Sequence, residues 1–267
     1  MRRSPPAARP PRLQELRFQF QPIAPLTRRE TGWSEALVRW NLPDGTVHGP
    51  MDVLPHWLAP TRLEAFTEHT LRSAAAAIAS TQGAVVSVNM SPSQVMHPAT
   101  LTQLERLLPD IRARIRIELT EDRIHDPGGL RDAIAVLRER CQILLLDDVT
   151  PDDLGHRAYD GDSVDGVKLD RAVVALLFDD GRRDEVTRFV RDVTERFPIV
   201  VAEGIEEPTM CDALATLGVT HVQGFGIARP APVLAAEVLP VIAEPGPGVG
   251  NERSPNGGRG RYELPPA

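Results

Sequence analysis

Eight short apolar runs, rich in β-branched residues, are spaced along this sequence, and most carry a polar side chain near or just past their end. The runs are Phe18–Pro22, Ala36–Trp40, Val85–Met90, Ile115–Leu119, Ile143–Asp147, Val164–Leu169, Ile199–Ala202 and Val222–Phe225. Runs of this length and composition read as strands. Between them lie stretches with apolar residues at helical spacing: Leu63–Ala79, Thr100–Leu108, Gly129–Cys141, Glu185–Phe197 and Glu207–Leu217. Strands alternating with helices imply parallel pairing and an α/β fold, and eight such units imply a (β/α)₈ barrel, with a doubly wound open sheet as the alternative. The first unit is irregular, because nothing between Phe18–Pro22 and Ala36–Trp40 has room for a helix of ordinary length.

The ends of the chain are of different composition. Residues 1–12 hold four Pro and four Arg, and residues 244–267 hold five Pro and six Gly. Both are expected to be disordered tails around a body of residues 13–243. The whole chain of 267 residues has a net charge of −7. Without the tails, 23 basic and 34 acidic residues remain, a body charge of −11. That acidity excludes a clamp for a DNA or RNA polymer. No run is long and apolar enough to span a membrane, and residues 1–12 lack the apolar region of a secretory signal, so a cytoplasmic location is expected. Cys141 and Cys211 offer neither a disulfide framework nor metal-ligand spacing.

The polar strand ends are the chemistry-bearing pattern. Val85–Val88 runs into Asn89, Ile115–Ile117 into Glu118, Ile143–Leu146 into Asp147 and Asp148, Val167 into Lys168, Ile199–Ala202 into Glu203, and Val222 into Gln223. In a (β/α)₈ barrel the C-terminal strand ends build the active site. Several carboxylates sharing one cavity oppose one another's ionisation unless a cation lies among them. Oxygen donors without Cys or His select a hard cation, Mg²⁺ or Mn²⁺, over zinc. The adjacent pair Asp147-Asp148 suits two metals, an arrangement that favours phosphodiester hydrolysis. One further count bears on the site: of 30 basic residues, 29 are arginine, and the one lysine is Lys168. A compact ammonium is retained where a guanidinium would not serve. The seven histidines show no paired spacing and are read as ordinary surface or core residues.

In this order the motifs resemble those of the EAL-domain cyclic di-GMP phosphodiesterases. The resemblance covers roughly residues 18–236: FQPI, with Gln21 and Pro22; GWSEALVRW, with Glu35-Ala36-Leu37 and Arg39; VSVNMSPSQ, with Asn89; IELTE, with Glu118 and Glu121; LLLDD, with Asp147 and Asp148; DGVKLDR, with Lys168; VVAEGIE, with Glu203 and Glu206; VQGF, with Gln223; and ARP. It implies a modified (β/α)₈ TIM barrel whose first strand is antiparallel. It also implies a metal-dependent phosphodiesterase that converts cyclic di-GMP to linear pGpG with two Mg²⁺ or Mn²⁺ ions. Glu35, Asn89, Glu118 and Asp147 would hold one ion and Asp148 the second, with Glu203 in the same shell. Arg39, Gln21 and Pro22 would contact substrate. Lys168 would face the attacking water, oriented by Glu206, and Gln223 would place a water or metal-bound group.

After the metal aspartates the family usually reads DDFGTGYSSL, whereas this chain reads Asp147-Asp148-Val149-Thr150-Pro151-Asp152-Asp153-Leu154. In the family this loop, anchored by the residue at the Glu121 position, couples to dimerisation. The departure raises the alternative of an impaired domain that serves as a cyclic di-GMP receptor or interaction module. A homodimer and a regulatory partner protein are further expectations. A Mg²⁺-dependent lyase with Lys168 as base would also fit the strand-end acids, but not the ordered motif series.

Overall fold

A computed structural model describes residues 9–120, 126–140, 143–151, 163–179 and 181–242. Its strands are β1 (Leu16–Pro25), β2 (Trp33–Asn41), β3 (Val47–His48), β4 (Val86–Met90), β5 (Ile115–Leu119), β6 (Leu144–Val149), β7 (Gly166–Leu169), β8 (Ile199–Ala202) and β9 (His221–Val222). They pair in the order β1-β9-β8-β7-β6-β5-β4-β2-β3, and β1 also pairs with β2. That second pairing closes an eight-stranded barrel and leaves β3 outside it. Strand β1 is antiparallel to both of its barrel neighbours, and the other barrel pairings are parallel. The fold is therefore the modified (β/α)₈ barrel, with the antiparallel first strand, that the motif series implied.

The helices form where apolar residues line one side. In Arg183–Arg196 the buried residues are Val186, Val190 and Val193, and in Pro127–Arg138 they are Leu130, Ile134 and Leu137. That spacing is one face of a helix, and the face lies against the barrel. Caps fix the starts. Asp126 accepts a hydrogen bond from the Gly129 N–H at 2.9 Å, and Ser91 and Gln94 form a reciprocal capping box. Helix and strand bounds otherwise lie within a few residues of those expected. The first strands are longer, and Val222–Phe225 contracts to His221–Val222.

Besides β3 and the short helices Leu13–Glu15, Pro109–Arg112 and Arg171–Leu176, two features were not expected. Helix Pro50–Trp57 follows β3, although Pro50 and Pro55 both fall within it. Pro50 occupies the first turn, where a missing N–H costs nothing, whereas Pro55 removes one internal hydrogen bond. The helix is held by a small core of its own: Val53 and Trp57 pack with Leu16, Val38, Trp40 and Phe66. This core lies where β1 and β2 extend past the barrel mouth. The second surprise follows β9, where the described residues hold no closing helix. Instead the chain returns along β1 as an irregular strap. Ala231 exchanges backbone hydrogen bonds with Phe20, and Val241 and Ile242 donate to the carbonyls of Pro25 and Leu26.

Candidate active site

Residues two apart on a strand share a face, so each polar strand end at the mouth stands above an interior residue. Glu35 stands above Trp33, Glu118 above Arg116, Asp147 above Leu145, Lys168 above Gly166, Glu203 above Val201 and Gln223 above His221. The lower layer is a plug, in which Ile23, Trp33, Leu145 and Val201 form one buried apolar cluster. Gly166 is required beneath Lys168. A Cβ there would lie 2.6 Å from the Ile199 Cβ and overlap the Ile199 carbonyl oxygen.

Asp147 and Asp148 are consecutive and should face opposite sides of β6. A register shift between Leu146 and Val149 interrupts the pairing with β7. Asp148 adopts φ 51°, the one left-handed non-glycine backbone among the described residues. The bulge turns both carboxylates toward the mouth, at a backbone cost of about 1–2 kcal/mol. Oxygens of Asp147, Asp148 and Glu203 then come within 4.8 Å of one another, close enough to hold a metal ion.

Lys168 lies at the centre of the cluster, 1% exposed. Its Nζ is 2.5 Å from Glu203 Oε1, 2.9 Å from Glu118 Oε2, 2.9 Å from Asp147 Oδ1 and 3.5 Å from Glu35 Oε2. Glu35 also accepts hydrogen bonds from Asn89 Nδ2 at 2.6 Å and Gln223 Nε2 at 2.7 Å. One ammonium cannot neutralise four carboxylates, of which Glu35, Glu118 and Asp147 are buried and Glu203 half-buried. Burial, together with the charges of Glu35 and Asp147, pushes Glu118 up to about 8 against the pull of Lys168. Burial, with Asp147 and Glu35, pushes Glu203 up to about 7. At Glu35 burial also acts upward, but Lys168, Asn89 and Gln223 together outweigh it and lower the carboxyl. Burial would lower Lys168, yet the surrounding carboxylates raise its ammonium well above the ordinary lysine value. The cluster therefore takes up protons or cations.

The donor set fits a cation. Asn89 Oδ1, Glu118 Oε1 and Gln223 Oε1 are buried acceptors with no hydrogen-bond partner in the protein. Buried acceptors are rarely left unpartnered without a bound group to receive. Two cavities, of about 990 and 570 Å³, meet at Glu35, Leu37, Asp147 and Asp148. The larger also reaches Gln21, Lys168, Glu203, Glu206 and Gln223.

The other expected residues are placed as follows. Gln21 lines the larger cavity and donates to the Ala228 carbonyl at 3.1 Å. Pro22, one residue on, alternates to the opposite face of β1. Arg39 lies on β2 beyond the mouth, its Nε donating to Gln19 Oε1 at 3.0 Å. Glu206 is exposed on the cavity wall and is not among the partners of Lys168; Glu118, Asp147 and Glu203 orient the ammonium instead. Glu121, Asp152 and Asp153 lie outside the described residues.

Sequence reasoning passed over the layer beneath. The Arg116 guanidinium lies 3.9 Å from the Trp33 ring centroid, and the His221 ring lies 4.6 Å from it. Burial pushes Arg116 down to about 10, against the charges of Glu118 and Glu30, so it stays cationic at neutral pH. Burial pushes His221 down to about 4, so its imidazole is neutral there. The available signal was spacing: the three residues stand two positions before Glu118, Glu35 and Gln223.

Comparison with known proteins gives the family and the fold. The EAL domain model matches residues 7–230, and the chain belongs to that family. It is 28% identical over 238 residues to an uncharacterized signaling protein of Caulobacter vibrioides, covering 87% of this chain and 29% of that protein. It is 26% identical over 224 residues to the cyclic di-GMP phosphodiesterase PdeR of Escherichia coli, covering 79% of this chain and 33% of that one. The chain thus spans about a third of the length of these relatives. Among solved structures, the PaMucR phosphodiesterase in complex with c-di-GMP aligns with a TM-score of 0.65 at 22% identity, covering 82% of this chain and 93% of that one. The FimX EAL domain of Xanthomonas citri in complex with c-diGMP aligns with a TM-score of 0.70 at 15% identity, covering 84% and 91%. These structural likenesses establish the fold. No helix among the described residues is long and apolar enough to cross a membrane.

Proposed function

We propose that the chain hydrolyses cyclic di-GMP to linear pGpG at this cluster with two divalent cations, Mg²⁺ or Mn²⁺. The observation that carries the reading is the convergence of Glu35, Glu118, Asp147 and Glu203 on Lys168 at the barrel mouth, with Asp148 beside them and buried acceptors left unpartnered. Two divalent ions would bring Glu35, Glu118, Asp147, Asp148, Glu203 and Lys168 together to zero charge. Glu35, Asn89, Glu118 and Asp147 would hold one ion, and Asp148, with Asp147 and Glu203, the other. When bound, such ions supply an activated water and a clamp on phosphate oxygens. The residues do the rest. Lys168 holds a fixed positive charge where negative charge builds on the phosphoryl group. Gln223 donates to Glu35 and keeps its own oxygen free for a bound group. Gln21 and Arg39 approach the substrate from β1 and β2.

The test is turnover of cyclic di-GMP by the purified chain in MgCl₂ or MnCl₂, with pGpG separated by chromatography. Product no greater than that of a Glu35→Ala control sinks the proposal. A second reading, a receptor that binds cyclic di-GMP without cleaving it, is favoured by Val149-Thr150-Pro151, where Pro151 removes backbone freedom three residues after Asp148. Micromolar binding without turnover would select it. A homodimer, a regulatory partner protein and a cytoplasmic setting complete the proposal, and light scattering tests the first of these.

A further inference from the structure

The barrel plug under the acid cluster contains a contact that the catalytic reading does not use. Trp33 is 1% exposed on β2 and touches both Arg116 of β5 and His221 of β9. These strands are not neighbours: β4 separates β2 from β5, and β1 separates β2 from β9. The contact therefore ties together strands that the hydrogen-bonded ladder does not join directly. Two residues further along, the same three strands deliver Glu35, Glu118 and Gln223 to one point. Both Trp33 Nε1 and Arg116 Nη1 are buried without a hydrogen-bond partner. Neither atom is held by a hydrogen bond; the guanidinium lies over the Trp33 ring and the His221 ring meets it at a tilt. His221 is anchored in turn, its Nε2 lying 3.3 Å from the Thr31 carbonyl.

We propose that Trp33 is a positioning residue for the cation-holding cluster: its contacts with Arg116 and His221 set the separation of Glu35, Glu118 and Gln223. The proposal rests on the metal reading above. Groups that orient metal ligands change cation affinity by about 10–100-fold when removed. Trp33 acts one layer below its ligands, so the lower end of that range applies.

The test is Mn²⁺ binding to the full chain by titration calorimetry, with thermal unfolding alongside. Trp33→Leu, which removes the stacking surface and leaves the site's charges in place, should weaken Mn²⁺ binding about tenfold. Trp33→Phe keeps a ring and should restore binding to within about twofold of wild type. Val190→Ala, a cavity in a helix outside the barrel, should lower the melting temperature and leave Mn²⁺ affinity unchanged. If Trp33→Leu gives no folded protein, His221→Asn takes its place, with weakening of about tenfold, the lower end of the same range, expected at the same contact. Wild-type affinity in Trp33→Leu or its replacement, or equal weakening in Val190→Ala, overturns the proposal alone. A wild-type chain that binds no Mn²⁺ overturns the metal reading and this proposal with it.

Discussion

Replacing Lys168 with methionine keeps the length of the side chain and removes its charge. Lys168 is buried against Glu203, Glu118, Asp147 and Glu35. Breaking a buried ion network by removing one partner costs about 3–5 kcal/mol, because the remaining charges stay buried without compensation. Part of that cost is absorbed here. Glu118 and Glu203 are already raised to about 8 and about 7, so they can protonate when the ammonium leaves. The lower end, about 3 kcal/mol, is therefore expected in EDTA. For a chain of this size that is a fall in Tm of about 6–12 °C. Divalent cations would replace the missing charge, so in excess MnCl₂ the difference from wild type should shrink to less than about half. The assay is thermal unfolding of both proteins by circular dichroism, with EDTA or MnCl₂ present. A variant as stable as wild type in EDTA would refute the charge argument. A deficit that Mn²⁺ leaves unchanged would show that the lysine and the cations do not share the cluster.

Three further outcomes are expected. Lys168→Arg keeps the charge but replaces a compact ammonium with a planar fork, and should lower kcat for cyclic di-GMP by about 10²-fold while Mn²⁺ binding persists; near-normal turnover would show that bulk charge suffices. His221 is held neutral when folded, with its value near 4, and takes up a proton near 6.5 when unfolded. Stability from this group is complete above about pH 7 and is lost as pH falls toward 4, about 3 kcal/mol in all. Denaturant titrations of wild type and His221→Asn should therefore differ in slope across that window, and parallel pH profiles would contradict it. Gly166→Ala should cost about 3 kcal/mol or prevent folding, because the added methyl meets the Ile199 backbone; an unchanged urea midpoint would show that β7 and β8 can separate freely.

Much of this protein is legible in local sequence. Parallel strands buried on both faces must be short apolar runs, and their mouth ends must turn polar if they line a site. Those two demands located seven of the eight barrel strands closely, together with Asn89, Glu118, Asp147, Asp148, Lys168, Glu203 and Gln223. The sole lysine in an arginine-rich chain marked the position where a small ammonium sits among acids. Period-two spacing also carried the plug residues Trp33, Arg116 and His221, although nothing local says that a tryptophan, an arginine and a histidine 83 to 188 positions apart will touch.

Only the tertiary structure decided the remainder. Adjacent strand residues point to opposite faces, so a pattern cannot show that Asp147 and Asp148 share a cavity; the bulge at β6 and the left-handed Asp148 do that. The partner of Lys168 was expected at Glu206, which is exposed on the wall, whereas Glu203, at 2.5 Å, lies at the end of the neighbouring strand. Helix Pro50–Trp57 forms against its prolines because Trp40, Trp57 and Phe66 bury one another there. Among the described residues, the chain after β9 runs as a strap and not a helix because β1 offers it backbone and apolar partners. In each case the deciding energy comes from contacts between segments distant in sequence. Local propensity and spacing describe one element at a time and contain no term for such contacts.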